Sequence, residues 1–423
     1  MELKRVVVTG LGAVTPLGNT IPEFWNNIVS GVSGAGPITR IDIEKIITRT
    51  KFACEVKDFD ILKYIDRKEA RRMDLCTQFA IAAACEAVAD AGIDKEKENL
   101  DRIGVILGVG IGGVQSFEDG VVTMHEQQIE GQELKVTPFY IPSLIANISA
   151  GYISMMNGFR GPNYVTTSAC ASGNNALVDA INMIRLGKAD FMLTGGAEAA
   201  ITDVALCGFG VMHALSTRND SPETASRPLS GSRDGFVLGE GSGILVLEEY
   251  GHAKARGARI YAEVAGWGLS ADAYHLTAPE PEGSGAALVM RNALDDAGLR
   301  PEEIDYVNMH GTSTPMGDIA ECKAIQKVFG EHAYEMSISS TKSMTGHLLG
   351  AAGAIEGIAS VLSVYNDIVP PTINHEEGDE DENIDYRMNF TFNKACRRRV
   401  NAALSNTFGF GGHNACVIFK KVD

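Results

Sequence analysis

Five residues of this 423-residue chain have types and neighbours suited to nucleophilic and acid–base chemistry: Cys170, His310, Lys342, His347 and Glu356. Cys170 lies in Thr166-Thr-Ser-Ala-Cys-Ala-Ser-Gly173, between the end of a strand pattern and a nearly all-apolar helical stretch over 172–186. Its small neighbours permit a sharp elbow and let a substrate carbonyl come close. A helix N-terminus supplies partial positive charge and free N–H groups. Both favour a thiolate, while burial opposes it. Taken alone, the segment also fits a small core residue at a tight turn. Two histidine segments shift the balance. His310 stands just past an apolar strand pattern, in the polar turn Asn308-Met-His-Gly-Thr-Ser-Thr-Pro315. Ser340-Thr-Lys-Ser-Met-Thr-Gly-His347 places a lysine five residues before a histidine. The helix that follows carries one charge, Glu356, and a buried carboxylate needs a partner; Lys342 is the nearest. Each histidine singly reads equally well as a satisfied polar residue. One cysteine, two histidines and a Lys/Glu pair, all at element ends, read jointly as a reaction centre.

Short β-branched runs (5–9, 102–107, 191–194, 243–247, 416–419) alternate with helical patterns (77–90, 172–186, 286–297, 351–365). Such alternation predicts an α/β architecture with helix-covered sheets. The order of features in the first part recurs in the second. Strand 102–107 and the Cys170 elbow are matched by strand 303–309 and the loop from Lys342 to His347, and each half closes on an apolar strand. This predicts an internal duplication with a boundary near 251–257, giving halves 1–255 and 256–423. Cys170 and His347 then fall at matching helix entries across a pseudo-two-fold.

Composition narrows the function. With 37 basic and 54 acidic residues the net charge is −17, which argues against a nucleic-acid partner. No stretch approaches the ~18 unbroken apolar residues of a membrane span. From Met1 the chain runs straight into a strand pattern, with no signal-peptide layout. Eight cysteines without a Cys-x-x-Cys pair predict reduced, mostly buried thiols and a cytoplasmic setting. Glycine is frequent, 46 of 423 residues, so loose glycine templates match by chance. Gly108-Val-Gly-Ile-Gly-Gly113 fits G-x-G-x-x-G, but no well-formed helix is expected after it, and Gly10-Leu-Gly12 is weaker still. The acidic run 376–382 reads as a solvated loop. Basic clusters at Arg67, Lys68, Arg71, Arg72 and at Arg397, Arg398, Arg399 read as exposed faces, or as landing sites for an acidic partner.

Four motifs in order carry a resemblance over essentially the whole chain. They are Thr-Ser-Ala-Cys170-Ala-Ser-Gly, His310-Gly-Thr-Ser-Thr-Pro-Met-Gly-Asp318, the segment from Lys342 through His347 to Glu356, and Asn406-Thr-Phe-Gly-Phe410-Gly-Gly412. The chain resembles the β-ketoacyl-acyl carrier protein synthases of the thiolase superfamily, the condensing enzymes of bacterial type II fatty acid synthesis above all. The resemblance implies a duplicated thiolase-like fold, a five-layered αβαβα sandwich and a homodimer. It implies an acyltransferase that joins an acyl group to a malonyl unit, both carried on acyl carrier protein, with loss of CO2. Cys170 would take the acyl chain, and the N–H groups of Cys170 and Phe410 would form the oxyanion hole. His310 and His347 would hold the malonyl thioester carbonyl, with Lys342 and Glu356 supporting the loop and tuning His347. Thr312 and Thr314 match positions that bind the phosphopantetheine arm; Gly110, Ile111, Phe209, Phe408 and Phe410 match the acyl pocket and its gate. Lys68, Arg71, Arg72 and His213 match the carrier-docking face, with His213 in place of an arginine. His413 stands where threonine is common. No metal or redox cofactor is implied beyond a structural Na+ or K+ at Asn308, Glu356, Ser405 and Asn406.

Relatives of other chemistry fit less well. A thiolase places a second cysteine as base near the C-terminus, whereas Cys416 falls within the last strand; a type III synthase has asparagine where His347 stands. A cysteine protease is allowed by the 140-residue gap from Cys170 to His310 but lacks its local signature. A non-catalytic chain-length partner lacks the cysteine.

Overall fold

The computed structural model describes residues 3–43, 45–46 and 48–422; Met1 and Asp423, the outer ends of the two expected halves, lie outside them. The first half contributes β1 (Val6–Val14), β2 (Ile103–Gly108), β3 (Asn163–Thr166), β4 (Phe191–Glu198) and β5 (Gly241–Glu249). The second contributes β6 (Ala262–Ala271), β7 (Tyr306–Asn308), β8 (Ser337–Ser339), β9 (Ala402–Gly409) and β10 (His413–Lys420). Their spatial orders are β3-β2-β4-β5-β1 and β8-β7-β9-β10-β6, the same arrangement twice. In both halves the first three of these strands are parallel and the last two antiparallel to their neighbours. The halves meet edge to edge where β1 pairs with β6 at Val6–Val264, Val7–Glu263 and Val8–Ala262.

This short seam lets the two sheets face each other across helices. α1 (Leu75–Ala91) covers β1 and β5 from outside; α2 (Ser172–Arg185) packs on β2 and β4 and also reaches β10. α3 (Ser284–Ala297) covers β6 and β10, with α4 (Pro315–Phe329) beside it. α5 (Ala352–Asn366) touches α2 and strands of both halves. The layers are therefore helix, sheet, the α2–α5 pair, sheet, helix. Residues 352–364 of α5 are all buried, as expected for an apolar helix that must sit between layers.

Several sequence expectations are corrected. A helix, Val114–Ile129, does open directly after Gly113. Its apolar signal is weak because only Val114 and Gly120 are buried, and Gly120 leaves room for the Tyr140 ring. Gly10 and Gly12 serve neither nucleotide nor turn: a Cβ on them would lie 2.4 Å from the Ala87 carbonyl and 2.0 Å from that of Ala83, so they let α1 lie flat on β1. The acidic run is an exposed loop, as expected, but it is anchored. Asp379 and Glu376 pair with Arg227 at 3.3 and 3.2 Å, and Asp381 pairs with Arg233 at 2.8 Å. Both arginines are buried, and a buried guanidinium holds carboxylates to itself. All eight cysteines are free, but Cys207 is exposed and Cys85 and Cys396 are half-buried. Among the described residues no helix is long and apolar enough to cross a membrane.

Gly12→Ala should lower stability by ~1–3 kcal/mol through overpacking of α1 against β1, read as a drop in the urea midpoint at unchanged slope.

Candidate active site

Cys170 is presented on a constrained elbow. After β3 the chain passes through Ala169, whose φ of 51° is a left-handed conformation unusual for a side chain with a Cβ. The Ser172 hydroxyl accepts from the Ser168 amide at 2.9 Å and donates to the Ala169 carbonyl at 2.6 Å. Asn175 adds a bond to the Ser168 hydroxyl at 2.8 Å. Gly108 permits the approach from below, because a Cβ there would lie 2.2 Å from the Ser172 backbone. The result is a buried thiol at the entry to α2.

The second half brings both histidines to this thiol. His347 Nε2 lies 3.0 Å from Cys170 Sγ. The His310 and His347 rings stand edge to face with centroids 5.3 Å apart, and Phe408 closes the other side of His310 at 5.6 Å. The His310 turn hangs from a residue with no motif of its own: the amides of His310 and Gly311 both donate to Glu321 of α4, each at 2.8 Å. Lys342, 1% exposed, is ion-paired with Glu356. Its ammonium also lies 3.3 Å from His310 Nδ1. Lys342 thus touches His310 directly, which was not expected, while its charge also acts on His347 as expected. With ammonium protons facing Nδ1, the His310 proton belongs on Nε2.

Burial, the Lys342 charge and the neighbouring His347 hold His310 well below the ordinary histidine range. Burial and then Lys342 do the same to His347. Burial pushes the Cys170 thiol up to about 12, against the opposing pull of Lys342 and of the Phe410 N–H. The helix-entry effect expected from sequence is outweighed by desolvation. The resting centre is a neutral thiol beside two neutral imidazoles.

A cavity of about 500 Å³ opens over this centre. Gly110, Ile111, Phe209, Phe408 and Phe410 line it with Thr312 and Thr314, as does His213. The two threonine hydroxyls are 3.0 Å apart. Their turn, with Ser313 at φ 68°, is braced by Asp318 and by Arg233, which donates to the Thr314 and Pro315 carbonyls at 3.3 and 2.8 Å. The Phe410 amide faces the Cys170 sulfur because Gly409 permits close contact; a Cβ there would sit 2.7 Å from the Ser168 carbonyl. Lys68, Arg71 and Arg72 lie away from the cavity. Lys68 and Arg71 are exposed, but Arg72 is bound to Glu69 at 2.5 Å and stacked on Phe139. Exposed His213 has its Nδ1 3.1 Å from Arg49, which supplies a guanidinium at that place.

Asn308, Glu356, Ser405 and Asn406 are buried, and each has side-chain oxygen without a hydrogen-bond partner. Asn308 and Ser405 are register partners of β7 and β9. Orphaned buried oxygens on β7, β9 and α5 fit an oxygen-ligated cation.

A family model for the N-terminal domain of beta-ketoacyl synthases matches residues 3–253, and one for the C-terminal domain matches 261–376. The chain belongs to the beta-ketoacyl synthase family. Among curated relatives, this synthase is 48% identical over 421 residues to 3-oxoacyl-[acyl-carrier-protein] synthase 2 of Synechocystis, covering 100% of this chain and 99% of the relative. It is 49% identical over 426 residues to the protein of that name from Vibrio cholerae, with 100% of both covered. Among solved structures, a beta-ketoacyl synthase from Burkholderia phymatum superposes with a TM-score of 0.90 at 36% identity, over 99% of this chain and 100% of that one. A ketosynthase solved with its type II polyketide acyl-carrier protein and a bound hexaketide gives 0.89 at 33%, over 100% of each.

Glu198, Glu321, Asp318 and Arg233 were not singled out from sequence. For Glu198 the available signal was one charge at the end of an otherwise apolar strand; α4 is mixed in character and Arg233 lies in a polar loop, so neither stood out. With the thiol held near 12, alkylation of Cys170 by iodoacetamide should rise about tenfold per pH unit from pH 7 through pH 10, without a plateau. A plateau near pH 8 would show an activated thiolate instead.

Proposed function

We propose that this ketosynthase catalyses decarboxylative condensation of an acyl-acyl carrier protein with malonyl-acyl carrier protein, giving a 3-oxoacyl-carrier product. The supporting observation is one cavity in which Cys170 Sγ, His347 Nε2 at 3.0 Å and His310 converge with both imidazoles neutral. The relatives named as 3-oxoacyl-[acyl-carrier-protein] synthases over the full chain point the same way.

The sulfur of Cys170 attacks the acyl thioester while its proton passes through His347 Nε2 to the departing carrier thiol. The Cys170 and Phe410 amides receive the developing oxyanion. Donors so placed are typically worth ~3–4 kcal/mol in the transition state. The acyl-Cys170 then faces malonyl-carrier, whose thioester oxygen takes N–H bonds from His310 and from His347, whose proton moves to Nε2 once acylation has removed the thiol proton that Nε2 accepted. These stabilise negative charge as the C–C bond to the carboxylate breaks and CO2 departs. Neutral imidazoles suit this step, since an imidazolium would protonate the carbanion. The carbanion attacks the acyl carbon, the bond to Cys170 sulfur breaks, and the thiolate takes one proton from solvent. A thiol of high pKa is readily restored.

Thr312 and Thr314 fit the carrier's amide-bearing arm. Lys68, Arg71 and the Arg49–His213 pair fit an acidic carrier, which a chain of −17 would otherwise repel. Exposed Val121, Val122, Ile129, Ile141 and Met155 fall in the segment around the open sheet edge at β3, which supports a homodimer through that side. Free cysteines support a cytoplasmic enzyme. A structural Na+ or K+ held by Asn308, Glu356, Ser405 and Asn406 would supply fixed positive charge behind His310. If so, potassium or sodium should raise the melting temperature above that in tetramethylammonium chloride at equal ionic strength.

Intact-protein mass spectrometry tests the reaction. Wild type should gain an acyl adduct that Cys170→Ala does not, and malonyl-carrier should clear it with a chain two carbons longer. His310→Ala should keep the adduct but slow its clearance by roughly 10²–10³. An adduct removed only by water would mean a hydrolase.

A further inference from the structure

The glycine-rich loop after β2 does cradle an anion, and the anion belongs to the protein. Glu198, the last residue of β4, is buried and accepts from the amides of Gly110, Ile111 and Gly112 at 2.8, 3.2 and 3.4 Å. A fourth amide, that of Gly350, donates at 3.1 Å. The carboxylate is wedged where two side chains are missing: a Cβ on Gly110 would lie 2.4 Å from its Oε2 and one on Gly350 2.8 Å. Gly110 and Ile111 form cavity wall, and Leu349, next to Gly350, lines the same space. Gly350 is three residues beyond His347. One carboxylate therefore ties the acyl-side wall to the turn that carries a histidine of the reaction centre.

All four donors are backbone amides, so both carboxylate oxygens are needed. A carboxamide accepts through one oxygen and would point N–H groups at amides that cannot receive them. Burial pushes the Glu198 carboxyl up to about 7 despite its four donors. An apolar residue in its place would leave those four amides without this acceptor, so the carboxylate is what joins the loop to the turn.

Building on the condensing-enzyme reading, we propose that Glu198 is a positioning residue that sets acyl-chain-length selectivity by clamping the 110–112 wall to the turn following His347. Loosening the clamp changes the depth and shape of the pocket that the acyl chain fills, while the thiol and histidines stay attached to their own supports.

The test is the rate of Cys170 acylation by a series of short- to long-chain acyl-carrier thioesters, followed by intact-protein mass spectrometry on wild type, Glu198→Gln and Glu198→Asp, with melting temperatures alongside. Glu198→Gln should change the ratio of long- to short-chain acylation by about tenfold, chiefly through KM. Glu198→Asp, which keeps the charge on a shorter stem, should shift the ratio less and in the same direction. An unchanged ratio, or a uniform loss at every chain length that follows the melting temperature, would overturn the proposal. Should Glu198→Gln fail to fold, the ratio in Glu198→Asp decides by the same criterion. If wild type accepts no acyl group, the condensing reading itself falls and this proposal with it; a normal wild type with unaltered variants removes Glu198 alone.

Discussion

The reaction centre depends on a positive charge kept where water is not. Lys342 is buried against Glu356, and a buried pair of this kind costs several kcal/mol in desolvation that its own attraction barely returns. What the charge does for its surroundings explains its position. It faces His310, suppresses protonation of both imidazoles and pulls against the burial that raises the thiol. Glu356 and the orphaned oxygens behind it keep that charge from moving. Removing the lysine would change the electrical state of three reacting groups together.

The duplicated fold makes such a centre constructible. Each half delivers a strand, a turn and a buried helix, and the two helices α2 and α5 are back to back in the middle layer. Cys170 enters from one and His347 from the other, so neither half holds a complete site. Glycines at 108, 350 and 409 replace side chains where backbones must nearly touch. The reach between thiol and imidazole is thus fixed by backbone contact rather than by flexible side chains.

Much of this was legible because it was local. The Cys170 elbow, the His310 turn and the loop from Lys342 to His347 each announce themselves within a few residues. Alternating runs gave the layer class, and the order of features gave the duplication. Glu198 was hidden for a physical reason. Its partners are backbone amides, which carry no residue identity, and the nearest in sequence is 86 residues away. Glu321 was hidden likewise, behind the amides of a turn that was itself noticed. The acidic run was rightly read as a solvated loop, but its anchoring was hidden because the arginines lie about 150 residues earlier. The helix Val114–Ile129 was missed because so little of it is buried, leaving no periodic stripe.

The acidic run also shows charge used as a tether. Arg227 and Arg233 hold Glu376, Asp379 and Asp381 against the backbone that braces Thr312 and Thr314. Two guanidiniums stand beneath three carboxylates, and Arg233 is also shared with buried Asp318 at 3.4 Å, so the stretch is anchored but still negative. The −17 already includes both arginines, so the pairing fixes where these charges stand and not how many a passing acidic macromolecule meets.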